Sequence, residues 1–437
     1  MRVTQIWTSI ADAGRDLLRG RLTARRTSPE QLAADLLSTR GDAVGAALAH
    51  ELVQQLAGSG GDTRIDFLRY LARSLEVDPA RINEAAAGYA ADPTAARLAR
   101  LRHAVEAPRM ELFRRMNMAP NGIGSLVSLR EFLLRNLADH PEFSAVDSDM
   151  RELLKGWLNP GFLSLVRIDW NSPASLLEKL MRYEKVQKIP NLEALRRRLG
   201  RDRRCFAFFH PALPDEPLIF VQVALVRGMA ASVQPLIEPT SEIGDPAAAD
   251  TAIFYSISNC LDGLRGVSLG NFLIKLVVGE LSREQPALRT FATLSPVPGF
   301  LEWYREAAGN GLLDSADNAR LERLEQPDWV DDETFSSEAK PHLEALAAHY
   351  LMLEKRNGRA RDPVARFHLN NGARLERINW LGDTSVKGLG ESAGVLVNYR
   401  YDLAHIERNH EAFANDGTVV ASSAVRSLIR PLAGDDS

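Results

Sequence analysis

The run Thr251-Ala-Ile-Phe-Tyr-Ser-Ile-Ser258, followed shortly by Arg265-Gly-Val-Ser-Leu-Gly-Asn271, decides how the rest of the chain is read. The first run is dense in β-branched and aromatic residues, as a buried strand is. The second is a small-residue turn. Past it, Leu269, Phe272, Leu273, Leu276, Val277 and Leu281 recur at helical spacing. A strand, a turn and a helix start make an anion cradle, because free backbone amides and the positive helix end both face the turn. The pattern predicts a ligand that carries phosphates. The same residues also fit an ordinary strand-to-helix turn.

Outward from this stretch, residues 205–210, 218–226, 290–295 and 395–401 repeat the strand signal, with helical patterns between them. Residues from about 300 to 360 are helical and acidic. Toward the N-terminus the character changes at the turn cluster Trp157-Leu-Asn-Pro-Gly161. Residues 28–157 read as helix after helix. Ser28-Pro-Glu-Gln31 is a capping box with proline at the first helical position. Gly58-Ser-Gly-Gly61 is a loop, and Asp62 or Thr63 can cap the helix after it. A further helix is expected over 93–105 with Asp92 as its cap, and others over 110–116, 126–137 and 148–158. The expectation is an all-helical bundle domain over 1–157 and a mixed-sheet domain, α+β or α/β, over 158–437, with a helical insertion at about 300–360.

Composition narrows the function classes. At 437 residues, two domains are the prior. An apolar content of 45% and a charged content of 25% suit a globular protein. A net charge of −4 gives no electrostatic case for nucleic acid. Two cysteines, Cys205 and Cys260, are too few for a disulfide framework or a cysteine zinc site, and fit a reducing cytoplasm. No apolar run reaches membrane-spanning length. The N-terminus lacks a signal-peptide core. Arg15, Arg19, Arg21, Arg25 and Arg26 have a transit-peptide flavour that Asp12 and Asp16 oppose. Gly434-Asp-Asp-Ser437 is no peroxisomal address.

Two further segments carry chemistry. In Leu294-Ser-Pro-Val-Pro-Gly-Phe300, Ser295 falls at the carboxyl end of a strand, where ligands bind in open α/β sheets. The two prolines should stop the strand there. A serine that merely ends a strand has the same look. In Asp362-Pro-Val-Ala-Arg-Phe-His-Leu-Asn-Asn-Gly372, Asp362 can cap a short helix, Pro363 can start it and Gly372 can end it. Asn371-Gly372 also reads as a hairpin turn. An isolated His368 is by itself a packing residue. The nine histidines include no His-Glu-x-x-His pair, and His405 and His410 are off one helical face, so no metal is expected. No Gly-x-Ser-x-Gly elbow is present. The basic run 196–204 reads as a solvated helix end.

The turn at Arg265 resembles the pyrophosphate loop of the GNAT-type acetyltransferase fold, with Ser268 where that fold has its first spaced glycine. The segment around His368 resembles the later part of the same fold, with histidine where its tyrosine acid stands. Taken in order, Phe-Tyr-Ser-Ile-Ser258, Gly-Leu-Arg-Gly-Val-Ser-Leu-Gly-Asn-Phe-Leu-Ile-Lys275, Leu-Ser-Pro-Val-Pro-Gly-Phe300, Phe-His-Leu-Asn-Asn-Gly-Ala373, Arg-Ile-Asn-Trp380 and Val-Asn-Tyr-Arg-Tyr401 resemble the malonyl-CoA decarboxylase family over about residues 110 to 403. The resemblance implies a helical oligomerisation domain and an acetyltransferase-like catalytic domain. It implies Ser295 and His368 as the catalytic pair. It makes Arg265, Gly266, Val267, Ser268, Leu269, Gly270 and Asn271 the coenzyme turn, with Ser256 and Tyr401 beside the substrate. The run 196–204 would then have a second reading, as a contact for the coenzyme 3′-phosphate. The implied reaction turns malonyl-CoA into acetyl-CoA and CO2 through a thioester enolate. Ser295 would orient the carboxylate. His368, titrating near neutral pH, would supply the proton to carbon. No cofactor is expected beyond the coenzyme A of the substrate, and the expected assembly is a homodimer or homotetramer. Animal members carry glutamate at the Ser268 position, so no role of that carboxylate transfers. Rival readings are an acyl-CoA N-acyltransferase on the same fold and a non-catalytic acyl-CoA sensor.

Overall fold

Helix α1 (Pro29–Ser38) begins as the capping signal requires, with the Ser28 hydroxyl accepting from the Gln31 amide. The box is half-formed, because the Gln31 side chain turns forward to Asp35. Seven more helices follow: α2 (Asp42–Gly58), α3 (Gly61–Arg73), α4 (Pro79–Ala91), α5 (Ala95–Ala104), α6 (Pro108–Met116), α7 (Gly122–Asn136) and α8 (Ser144–Trp157). Two caps differ from expectation. Helix α3 starts at Gly61 with extended Gly60 before it, and Asp62 lies inside the first turn, where its charge faces the positive helix end. Helix α5 is capped by Thr94, whose hydroxyl accepts from the Arg97 amide. Asp92, held extended by the following Pro93, ends α4 and pairs with Arg97.

The computed structural model describes residues 28–39, 41–267, 273–326, 328–356 and 358–429. They form two compact units that interleave along the chain. The helical unit takes the described residues up to Ser164, together with Phe209–Pro217 and the described part of 261–269. Its core is apolar and continuous, built on Leu36, Leu52, Phe67, Phe113, Leu126, Leu133 and Phe143. A short 3-10 turn, Asp262–Leu264, lies flat on α7, where a Cβ at Gly263 would come within 2.0 Å of the Val127 carbonyl oxygen.

The second unit is built on a mixed sheet. Its strands are β1 (Ser164–Ile168), β2 (Arg203–Phe209), β3 (Ile219–Val226), β4 (Thr251–Asn259), β5 (Thr290–Thr293), β6 (Ser295–Pro296), β9 (Arg374–Asn379) and β10 (Leu396–Arg400), and a separate two-stranded hairpin supplies β7 (Lys355–Arg356) and β8 (Arg359–Ala360). The order is β1-β2-β3-β4-β5-β10-β6, with β9 also on β10. Pairing is antiparallel for β2–β3, β3–β4 and β10 with each neighbour, while β4 and β5 run parallel. A helical region followed by a mixed-sheet domain is the architecture that the sequence predicts.

Two irregularities position the site. Strands β4 and β5 run together only from Thr251/Thr290 to Phe254/Thr293. Beyond that point β4 stays on β3, while the chain after Thr293 crosses to β10 and pairs Ser295 with Val397. The two strands therefore part at Phe254 and Leu294. On β4 the register shifts so that Tyr255 has no opposite residue. This bulge puts Ser256 on the face of Ala224 and Ile253. The opposite face carries Thr293, Ser295, Val397, Tyr399 and Tyr401 by strand alternation.

The strand does end at the prolines as expected, since β6 stops at Pro296, opposite Leu396. Several other expectations are corrected. The helix after the Arg265 turn, α9 (Leu273–Glu284), buries Leu273, Ile274, Val277, Val278 and Leu281. Leu276 is exposed, while Leu269 and Phe272 lie outside the described residues. The basic run is no solvated helix end. Arg197, Arg198, Arg203 and Arg204 are buried. Arg197 pairs with Asp202, Arg204 with Glu284, Arg203 donates to the Leu236 carbonyl, and Arg198 donates to the Gln187 and Lys188 carbonyls. A guanidinium can be buried when its donors are met in this way. Strands β1, β7, β8 and β9 went unpredicted. In β9 the half-buried charged residues Arg374, Glu376 and Arg377 mask the apolar positions Leu375 and Ile378.

Candidate active site

Helix α10 (Pro363–Asn370) carries His368 and is short, so its ends decide its position. The Asp362 carboxylate accepts from the Ala365 amide at 2.7 Å, and Pro363 opens the first turn. At the other end Gly372 takes a left-handed φ of 75°. The Gly372 amide donates to Leu369 and the Ala373 amide to His368, closing the last turn. A Cβ at Gly372 would fall 2.1 Å from the Ile406 carbonyl oxygen. The hairpin reading of Asn371-Gly372 is therefore not realised.

His368 lies on the sheet face that carries Ser295, Tyr399 and Tyr401. Its Nε2 is 3.0 Å from Ser295 Oγ, and its Nδ1 is 2.8 Å from the Tyr401 hydroxyl. The Ser295 hydroxyl donates to Thr293 Oγ1 at 2.8 Å, and that oxygen also accepts from the Tyr399 amide at 3.1 Å. The Tyr399 ring stacks on the imidazole with centroids 4.7 Å apart, while Tyr401 meets it edge-on. Both ring nitrogens and one ring face are thus held by the sheet.

Burial sets the protonation. Ser295, His368, Tyr399 and Tyr401 are all buried. Loss of hydration pushes the His368 imidazolium pKa down to about 3. The same cause holds the Tyr399 and Tyr401 phenols well above their usual range. The expectation that His368 titrates near neutral pH is therefore corrected: at pH 7 it is a neutral imidazole with one N–H. With Ser295 donating to Thr293, the consistent proton order has Tyr401 O–H donating to Nδ1 and Nε2–H donating to Ser295 Oγ. Burial also raises the Asp362 carboxyl to about 6, although backbone amides lower it in part.

The other expected residues lie elsewhere. Ser256 donates to Glu184 at 2.7 and 2.8 Å, on the opposite face of the sheet from Ser295. Glu184 also accepts from Ser258, the Val186 and Gln187 amides and Gln222, so Ser256 belongs to a filled structural network. Its expected place beside the substrate is not supported, because the Tyr255 bulge turns it away. Arg265, Gly266 and Val267 belong to the helical unit. Gly266 has a φ of 76°, which favours glycine. Ser268, Leu269, Gly270 and Asn271 lie outside the described residues. Sequence reading missed Thr293 and Tyr399. Their signal is the i, i+2 spacing with Ser295 and Tyr401 on their strands. Among the described residues, no group of three or more His, Cys, Asp or Glu could hold a metal ion. No described helix is long and apolar enough to cross a membrane.

Comparison with known proteins gives the family of the chain. Residues 161–436 match the malonyl-CoA decarboxylase C-terminal domain, and residues 75–158 match the malonyl-CoA decarboxylase N-terminal domain. Malonyl-CoA decarboxylase, mitochondrial, of Anser anser anser is 35% identical over 415 residues, which is 87% of this chain and 82% of the relative. The crystal structure of malonyl-CoA decarboxylase from Rhodopseudomonas palustris is 47% identical with a TM-score of 0.88, covering 92% of this chain and 99% of that one. The structure of the enzyme of that name from Agrobacterium vitis gives 45% and 0.85 over the same shares. Both halves match their family domains in order, and the likeness in sequence and fold runs nearly end to end, so the chain belongs to the malonyl-CoA decarboxylase family.

Proposed function

We propose that this chain cleaves malonyl-CoA to acetyl-CoA and CO2, with Ser295 holding the substrate carboxylate and His368 supplying the proton through it. The observation that carries this reading is the 3.0 Å contact between Ser295 Oγ and His368 Nε2, beside the point where β4 and β5 part. When the C–CO2 bond breaks, its electron pair moves into the thioester as an enolate. The thioester is itself the electron sink, so the reaction asks for no further cofactor. The bond must stand perpendicular to the thioester plane as it breaks, and the Ser295 hydroxyl, turning from Thr293 Oγ1 to the carboxylate, sets that angle and then faces the carbon that CO2 leaves.

The enolate carbon is a strong base and takes a proton from a neutral donor. No imidazolium is required, which suits a His368 pKa of about 3. Ser295 O–H gives its proton to carbon, and a new C–H bond forms. His368 Nε2–H refills Ser295 Oγ, and the Tyr401 hydroxyl refills Nδ1. Water returns one proton to Tyr401, so each turnover consumes one solvent proton and releases CO2.

The coenzyme turn remains Arg265–Asn271 in this reading, supported by the left-handed Gly266. The helical half serves assembly into a homo-oligomer, supported by α4 and α5, neither of which buries any residue. The thiols of Cys205 and Cys260, buried and in no disulfide, fit a reducing cytoplasm. Incubation of the purified protein with malonyl-CoA, without an amine or added metal, tests the reading. Equal amounts of acetyl-CoA and CO2 are expected. Turnover only with an amine would mean an acyltransferase, and intact malonyl-CoA a sensor.

A further inference from the structure

Asparagine is a poor strand former, yet Asn398 stands fully buried at the centre of β10. Its carboxamide has two N–H donors and two acceptor positions, and all four are used. Nδ2 donates to the Thr293 carbonyl at 2.7 Å and to the Ala230 carbonyl at 3.1 Å. Oδ1 accepts from Asn379 Nδ2 at 2.9 Å and from Arg377 Nε at 3.1 Å. Arg377 Nη2 in turn donates to the Met229 and Ala230 carbonyls, so the loop after β3 is tied into the same network.

The network fills a gap in the sheet. The pairing of β10 passes from Arg400 opposite Ala292 directly to Val397 opposite Ser295, so Asn398 and Tyr399 stand beside Leu294 and Thr293 outside the ladder. Side chains meet main-chain groups there instead. The Tyr399 amide donates to Thr293 Oγ1, the Thr293 carbonyl accepts from Asn398, and the Leu294 amide turns to the Phe254 carbonyl of β4 at 2.9 Å. Thr293 is thus held at two atoms, its carbonyl by Asn398 and its hydroxyl oxygen by the Tyr399 amide and the Ser295 hydroxyl. By strand alternation the Asn398 side chain lies on the sheet face opposite Tyr399 and the site. What Asn398 fixes is the place of Thr293, and Thr293 Oγ1 fixes the hydroxyl that stands 3.0 Å from His368 Nε2. We infer that Asn398 is a positioning residue for the Ser295–His368 pair: from the far face of the sheet, and through Thr293, it sets where the Ser295 hydroxyl stands. This rests on the reading of Ser295 as the group that holds the substrate carboxylate and passes the proton.

The test is a double-mutant cycle on malonyl-CoA turnover, with Asn398→Asp set against Ser295→Ala. Asn398→Asp keeps the shape and the acceptor toward Arg377 and Asn379, but puts an oxygen where Nδ2 donates to Thr293. Alone it should lower kcat about tenfold, the scale of one lost hydrogen bond, and leave KM within about twofold. In the Ser295→Ala background, followed by single turnover, it should change the rate by less than about twofold, because the hydroxyl it positions is gone. Asn398→Ala buries no charge and should repeat the pattern. Thr293→Val removes Oγ1 at nearly constant shape and should lower kcat at least as much, while Thr293→Ser, which keeps the oxygen, should restore it. Equal losses in both backgrounds, no loss from either Asn398 variant, an unchanged kcat in Thr293→Val, or failure of both Asn398 variants to fold would make Asn398 a purely structural residue and overturn the inference. If Ser295→Ala by itself turns over at the wild-type rate, the reading of Ser295 is what fails.

Discussion

Ser295 is held on three sides: by the strand that carries it, by Thr293 beneath its hydroxyl and by His368 above. In the proposed reaction its Oγ–H goes to carbon and the His368 Nε2–H replaces it. Ser295→Ala should therefore lower kcat by roughly 10²–10⁴-fold, the scale for a positioned proton donor. The melting temperature should stay within a few degrees, since one hydroxyl adds little packing. Near-normal turnover would reduce Ser295 to the end of a strand. The turn and cap signals around Ser295 and His368 picked out their segments in the sequence, while the pairing of the two residues came only from the family resemblance. Thr293 and Tyr399 were not, because threonine and tyrosine are the ordinary filling of a buried strand. Ser256 was misplaced because a bulge at Tyr255 reverses which face a β4 residue occupies, and one strand read alone carries no register.

Helix α10 makes the site pH-sensitive in two opposed ways. His368 has a folded pKa near 3, below its ordinary value, so its share of stability is full above about 6.5 and is lost as pH falls toward 3. Asp362 has a folded pKa near 6, above its ordinary value, so its share is full below about 3.8 and is lost as pH rises through 6. Between about pH 4 and 6 the two slopes offset each other. Asn is also a good N-cap and can keep the bond to the Ala365 amide, so Asp362→Asn removes one slope and leaves the other. The variant's melting temperature should fall more steeply than wild type between pH 6.5 and 4. Parallel curves would show that one of the two groups does not titrate as its burial requires. The start and end of this helix were legible from Asp362, Pro363 and Gly372, since caps are local chemistry. The edge strands β1 and β9 were not, because exposed and charged residues break up their apolar pattern.

At the scale of the molecule, the chain is a helical unit and a mixed-sheet unit, and two short loops of the later sequence are built into the earlier unit. That partition depends on contacts far apart in sequence, of which the hydrogen bonds from Arg130 to the Gly263 and Arg265 carbonyls are an example. No local pattern announces it. The buried arginines of 197–204 teach the same lesson: a run of cations looks solvated until its partners, Asp202, Glu284 and several carbonyls, are brought in from distant positions. The central claim is that His368, neutral and buried, feeds the proton that turns an enolate into acetyl-CoA. It is tested most directly by a single-turnover comparison of wild type and His368→Asn on malonyl-CoA, with coenzyme affinity measured in parallel. The account predicts that wild type forms acetyl-CoA and CO2 in equal amounts, while His368→Asn binds coenzyme A as tightly and loses nearly all turnover. Wild-type rates in the folded variant would contradict it.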